Sequence, residues 1–261
     1  MLTSSVCFDC CRKGQGMGVL DGRKAVLFDL DGTIVDSLGI WSRVDVELAH
    51  ALGCPDPDPL VLHRLREEAL ERFKDDPQPY TAFCGEFGRF FGSPLSAREI
   101  HAKRYEISRR VLKNEVGLKP GVAQVIRALH AAGLKLAIVT TTKRANVDIY
   151  CDVNERIRRE IHLRDFFSTV VTMEDVSRIK PDPEGYLLAL NRLGAGPEQA
   201  LVIEDSRAGL LAAHAAGIEA AVIREPFSEA ARPWLMQQAD YYFEDALALM
   251  KALRLEEDSC G

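Results

Sequence analysis

The chain has 261 residues, 47% hydrophobic and 28% charged, ordinary values for a soluble α/β protein with room for a smaller second unit. Its 33 basic against 39 acidic residues give a formal charge of −6, and no block supplies the basic face that nucleic-acid binding needs. No apolar run approaches the ~18 residues of a membrane span, and seven irregularly spaced cysteines do not form a disulfide framework. Residues 1–22 read as a flexible tail without the long apolar core of a secretory signal, so a cytoplasmic location is the default. The tail holds a C-x₂-C pair, Cys7 to Cys10, but no second pair or His cluster completes a zinc site, and free thiols are expected. Met17 opens a string that could begin the domain unaided.

Ala25, Val26, Leu27 and Phe28 form a continuous apolar run, suited to a buried parallel strand. It ends in Asp29-Leu30-Asp31-Gly32-Thr33. Two carboxylates at the end of a buried strand are costly unless neutralised, and Asp oxygens are hard ligands suited to Mg²⁺. A bare Asp-Gly would read as a hairpin turn; the strand before it argues otherwise.

Helical spacing follows at Ile40, Trp41, Val44, Leu48 and Leu52, with Asp36 or Ser37 as the expected cap. A second helix is expected from Leu60 to Phe73, then a loop from Asp75 to Pro79. Tyr80, Phe83, Phe87, Phe90 and Phe91 make an aromatic stripe that reads as core. Ser96 to Glu99 is a capping box opening a helix towards Asn114. Arg104, Arg109 and Arg110 read as its solvated face. Residues 38–116 are thus a helical module, and Gly117 to Gly121 is the return hinge.

Strand and helix then alternate. Strands are expected at Leu134 to Val139, Phe167 to Met173, Leu201 to Ile203, Ala220 to Ile223 and Tyr241 to Phe243. Helices are expected at Val122 to Ala132, Lys143 to Leu163 with an interruption near Asp152, Glu184 to Leu193, Ala208 to Ala216 and Glu244 to Leu255. Such alternation builds a parallel sheet covered on both faces, with ligands at the carboxyl ends of its strands. Asp29 with Asp31, Thr140, Lys180 and Glu204 with Asp205 all fall at or just beyond such ends. The six histidines are dispersed and join no ligand pattern.

The string Phe-Asp-Leu-Asp-Gly-Thr, followed in order by Thr140, Lys180 in Lys-Pro-Asp-Pro, and Glu204-Asp205, resembles the haloacid dehalogenase superfamily over residues 24–245. The resemblance implies a Rossmann-like doubly wound parallel sheet at 23–37 and 117–261, with an all-helical cap at 38–116. It makes Asp29 the nucleophile that becomes an aspartyl phosphate and Asp31 the general acid and base. Thr140, with the backbone at Thr141, and Lys180 would hold the phosphoryl group. Mg²⁺ would sit on Asp29, the backbone carbonyl of Asp31 and Asp205, with Glu204 acting through water or from behind these ligands. The expected function is Mg²⁺-dependent hydrolysis of a small phosphate monoester, a sugar phosphate or a phosphoglycolate-like acid. A phosphotransferase of the β-phosphoglucomutase kind and a non-catalytic binding protein remain open. Trp41 lies in the stretch where the mutase relatives carry a His that restrains hydrolysis.

Overall fold

The computed structural model describes residues 18–73 and 76–254. The expectations placed on Cys7, Cys10, Cys11, Met17, Asp75, Leu255 and Cys260 lie outside them. Strand β1, Ala25–Phe28, is buried along its whole length, because it is central to the sheet. The other strands are β2 Lys135–Val139, β3 Phe167–Val171, β4 Ala200–Glu204, β5 Glu219–Ile223 and β6 Tyr241–Phe243. All pairs are parallel, in the order β3-β2-β1-β4-β5-β6.

Register explains why every residue of β1 is apolar. Phe28 lies between Ile138 and Ile203, and these three join the core on one face. Leu27 lies between Ala137 and Val202, which join the core on the other. Chain order reverses at β1, whose neighbours are β2 and β4. That reversal opens a crevice at the carboxyl ends of the strands, where α/β sheets bind ligands.

Of the five helices between β1 and β2, the first four form a module: α1 Ile40–Ala51, α2 Pro59–Arg72, α3 Pro79–Phe90 and α4 Ala97–Asn114. They close on a core of their own that includes Leu48, Leu62, Phe83, Phe87 and Ile100. Ser96 and Glu99 form the expected capping box, which satisfies two otherwise unpaired N–H groups at the start of α4. Three expectations in this module are corrected. Gly39 occupies the N-cap of α1 with no side-chain cap, and the Ser37 hydroxyl bonds Asp31 instead. Tyr80 and Phe90 are exposed, leaving Phe83 and Phe87 as the core of the stripe. Arg104 is 6% exposed, not solvated: with Arg66 it holds the fully buried Asp45, and its guanidinium lies 5.5 Å from the Trp41 ring centre.

The remaining helices are α5 Val122–Ala131, α6 Arg144–Asp148, α7 Glu155–Glu160, α8 Leu163–Phe166, α9 Glu184–Leu193, α10 Arg207–Ala215, α11 Arg232–Gln238 and α12 Ala246–Ala252. The helix expected from Lys143 is interrupted near Asp152, as its sequence suggests, and is broken into shorter pieces. Helix α6 runs into a π-helical turn, Ile149–Val153, and Asn154 leaves helical geometry to cap α7 through the Ile157 N–H at 3.0 Å. Helix α11 and the 3₁₀ turn Pro226–Ala231 escape the sequence reading, since each is too short to establish a period. The last helix begins later than expected, at Ala246, because Asp245 is its cap. Among the described residues no helix is long and apolar enough to cross a membrane.

Candidate active site

Asp29 is the first residue beyond β1, and its N–H donates to the carbonyl of Ile203 at 2.9 Å, which extends the sheet pairing to the site. Its carboxylate is 2.6 Å from Lys180 Nζ. The same ammonium donates to the carbonyl of Val139 at 2.8 Å and to Glu204 Oε1 at 2.7 Å. One lysine therefore ties together the ends of β1, β2 and β4. Its loop is braced from within: Glu184 accepts from the N–H groups of Ser177 and Arg178 at 2.8 and 2.9 Å.

Glu204 is fully buried and saturated. Oε1 takes Lys180 and the Tyr186 hydroxyl, at 2.9 Å; Oε2 takes the N–H groups of Asp205 and Ser206 and the Ser206 hydroxyl. A Cβ on Gly209 would lie 1.6 Å from Oε1, so only glycine fits there. Asp205, 2% exposed, accepts from Thr33 Oγ1 at 2.7 Å. Gly32 (φ 92°) turns beside it, and a Cβ there would meet Asp205 Oδ2 at 2.5 Å. The close approach and the left-handed backbone both require glycine.

Asp31 faces a different set of partners. Ser37 Oγ donates to Oδ1 at 2.6 Å, Tyr150 OH to the same oxygen at 3.2 Å, and Thr142 Oγ1 to Oδ2. Thr140, buried at the end of β2, accepts from the Thr142 N–H at 3.0 Å and so shapes the turn that carries Thr141, which is exposed. The structure thus brings Asp29, Lys180, Glu204 and Asp205 into one cluster, with Asp31 and Thr140 joined to each other through Thr142.

Electrostatics at this cluster are unbalanced: three buried carboxylates face one buried ammonium. Burial, aided by the Glu204 and Asp31 charges and opposed by Lys180, pushes Asp29 up to about 7. Burial and the charges of Asp29 and Glu204 push Asp205 well above the carboxylate range. Burial pushes Glu204 up as well, but Lys180 and the hydrogen bonds outweigh it and hold Glu204 below its ordinary value. Lys180 is driven down by burial and, more strongly, up by Asp29 and Glu204, so it stays charged. An oxygen from each of Asp29, Glu204 and Asp205 lies within 4.8 Å of the others. A hard divalent cation would relieve this surplus of buried negative charge.

Sequence reading missed Tyr150, Thr142, Tyr186 and Thr33 as site residues, and took Ser37 for a helix cap. The first four bond a carboxylate supplied by another segment, and a hydroxyl residue in a helix or turn carries no local sign of that partner; Ser37 bonds Asp31, six residues before it.

The family profile for haloacid dehalogenase-like hydrolases matches residues 26–223. A protein CbbY from Rhodobacter capsulatus is 32% identical over 86% of this chain and 94% of its own. A phosphoglycolate phosphatase from Salmonella typhi is 32% identical over 77% of this chain and 81% of its own. Among solved structures, a Thermotoga maritima protein proposed as a β-phosphoglucomutase superposes with a TM-score of 0.73 at 26% identity, covering 88% of this chain and 98% of its own.

Proposed function

The chain belongs to the haloacid dehalogenase-like hydrolase family, and on that premise we propose that it is a Mg²⁺-dependent phosphatase of small phosphate monoesters. The observation that carries the reading is the pairing of Asp29, held by Lys180 at 2.6 Å, with a second carboxylate two residues on that is separately held by three hydroxyls. Binding a phosphate would need the first arrangement; turning it over needs both. A phosphoglycolate phosphatase among the relatives supports this substrate class.

The residues divide the work as follows. Asp29 attacks phosphorus as the ester oxygen departs, and Asp31 gives that oxygen a proton. Asp31 then takes a proton from water, which attacks phospho-Asp29 and frees phosphate and the Asp29 carboxylate. Lys180 screens the repulsion between the Asp29 carboxylate and the phosphoryl oxygens, and Glu204 with Tyr186 keeps Lys180 in place. The Thr140 hydroxyl and the turn after it hold the phosphoryl oxygens. Asp29, Asp205 and the carbonyl of Asp31 would hold Mg²⁺, with Glu204 behind them; when bound, the ion supplies charge neutralisation at the phosphoryl group. The helices at 38–116 cover the crevice, exclude water and select the substrate.

Phosphate release from a broad panel of phosphomonoesters, with Mg²⁺ and with chelator, tests the proposal. Release on at least one ester in Mg²⁺ only is expected; a site silent on all esters, or indifferent to chelator, contradicts it.

A pH-dependent metal effect follows from the shifted carboxylates. Asp29 has a folded pKa of about 7, above its unfolded value of 3.8. Between these values the folded state binds the extra proton, so metal-free stability falls as pH rises through about 7. The cation competes with that proton. Added Mg²⁺ should therefore raise the thermal midpoint more at about pH 8 than at about pH 6. An equal rise at both pH values would count against Asp29 as a ligand.

Hydrolysis and phosphoryl return to a sugar share every residue above and differ in what Asp31 activates. Trp41 offers one N–H donor and cannot accept a proton, and here it packs beside the Arg104 guanidinium. A His-type restraint on water is absent from that position. With β-glucose 1-phosphate, Mg²⁺ and a trace of glucose 1,6-bisphosphate, free phosphate is expected to outpace glucose 6-phosphate. The reverse order would replace the phosphatase reading with the mutase one.

A further inference from the structure

We propose that Tyr150 is a positioning residue for the acid–base carboxylate of Asp31, an inference that rests on the phosphatase reading. Tyr150 is 1% exposed, and its ring belongs to the apolar core on one face of the sheet. A Phe would fill that core equally well and would spare the burial of a hydroxyl, which is costly without a partner. The hydroxyl donates to Asp31 Oδ1.

The backbone that delivers it departs from regular helix. Tyr150 lies in the π-helical turn Ile149–Val153, a local form that often marks functional sites. The turn is fixed on its far side. The Asn154 N–H closes onto the Ile149 carbonyl at 2.8 Å, and the Asn154 amide donates to the carbonyls of Leu112 and Val116 at 2.7 and 2.9 Å. Tyr150 is thereby registered against the end of α4, the last helix of the 38–116 module. Asp31 Oδ1 is held between two hydroxyls, Ser37 from the β1 side and Tyr150 from the π turn, while Thr142 holds Oδ2. These donors fix the plane of the carboxylate. A displacement of about 1 Å in a proton-transfer group can cost ~10²-fold in rate.

The test uses the requirement for that proton. An alkoxide leaving group needs it; p-nitrophenolate does not. The Tyr150→Phe variant of the full chain is assayed for kcat/KM on the fastest alkyl phosphate of the panel above and on p-nitrophenyl phosphate. kcat/KM reports steps through departure of the alcohol, and the ratio of the two values is independent of how much of the variant is folded. The alkyl value is expected to fall about tenfold more than the aryl value, as loss of part of a general-acid contribution would give. Equal falls, or none, would show Tyr150 to be packing alone and overturn the inference while wild-type turnover upholds the phosphatase reading. A wild-type protein that cleaves neither ester would overturn both.

Discussion

Replacing Asp29 with Asn is expected to lower turnover by on the order of 10⁴-fold or more, as loss of a nucleophile does, while the protein stays folded. The amide keeps the shape of the carboxylate but cannot attack phosphorus and is a poor cation ligand. Asp29 sits at the end of β1, outside the apolar rows that join β1 to β2 and β4. Burial already drives its carboxyl up to about 7, so a neutral group at this place costs the fold little. The thermal midpoint of the metal-free variant should match or slightly exceed that of the parent, and Mg²⁺ should no longer raise it appreciably. Retained turnover on a good substrate would remove Asp29 from the mechanism.

Lys180→Met should damage both stability and activity. The ammonium is the sole buried cation bonded to Asp29 and Glu204 among the described residues, at 2.6 and 2.7 Å. Breaking such a buried group by removing one partner costs about 3–5 kcal/mol. The sign of the pH effect comes from Glu204, whose folded pKa is held below its unfolded value, after burial is outweighed, by Lys180 and the hydrogen bonds. That contribution is present above the unfolded pKa and is lost as pH falls through the folded one. Urea unfolding of metal-free protein should show the full deficit near neutral pH and a smaller one in mild acid, where the orphaned carboxylates take up protons. A deficit independent of pH would mean that Lys180 stabilises by packing and not by charge.

The strand ends were legible because acids directly after an apolar run break a local pattern. Asp29 with Asp31 and Glu204 with Asp205 both announce themselves this way, and Lys180, followed by Pro181 and Pro183, nearly does. The parallel sheet was legible for the same reason: β1, β2 and β5 are apolar throughout their buried residues, and β4 is apolar up to its terminal Glu204. What stayed hidden depends on partners far away in the chain. Asp45 looks like any acid on a helix, yet it is neutralised by Arg66 and Arg104, 21 and 59 residues on. Arg104 falls at helical spacing among other charges, so periodicity places it in solvent when its partner draws it inside. Tyr150 reaches Asp31 across 119 residues, and the interruption expected near Asp152 carries no sign of that partner. Ser37 has the right chemistry for a helix cap, and only the geometry of Asp31 shows where its hydroxyl goes.

The central claim is that a phosphoryl group passes through Asp29. Acid quenching during turnover of the best substrate in Mg²⁺, followed by proteolysis and mass spectrometry, tests it most directly. The account predicts one phosphoryl group on the peptide containing Asp29, absent from the Asp29→Asn variant and accumulating in Asp31→Asn with p-nitrophenyl phosphate, whose leaving group needs no proton while attack by water still needs the Asp31 base. Steady phosphate release with no phosphorylated peptide at any quench time, or with the phosphoryl group on another residue, would contradict it.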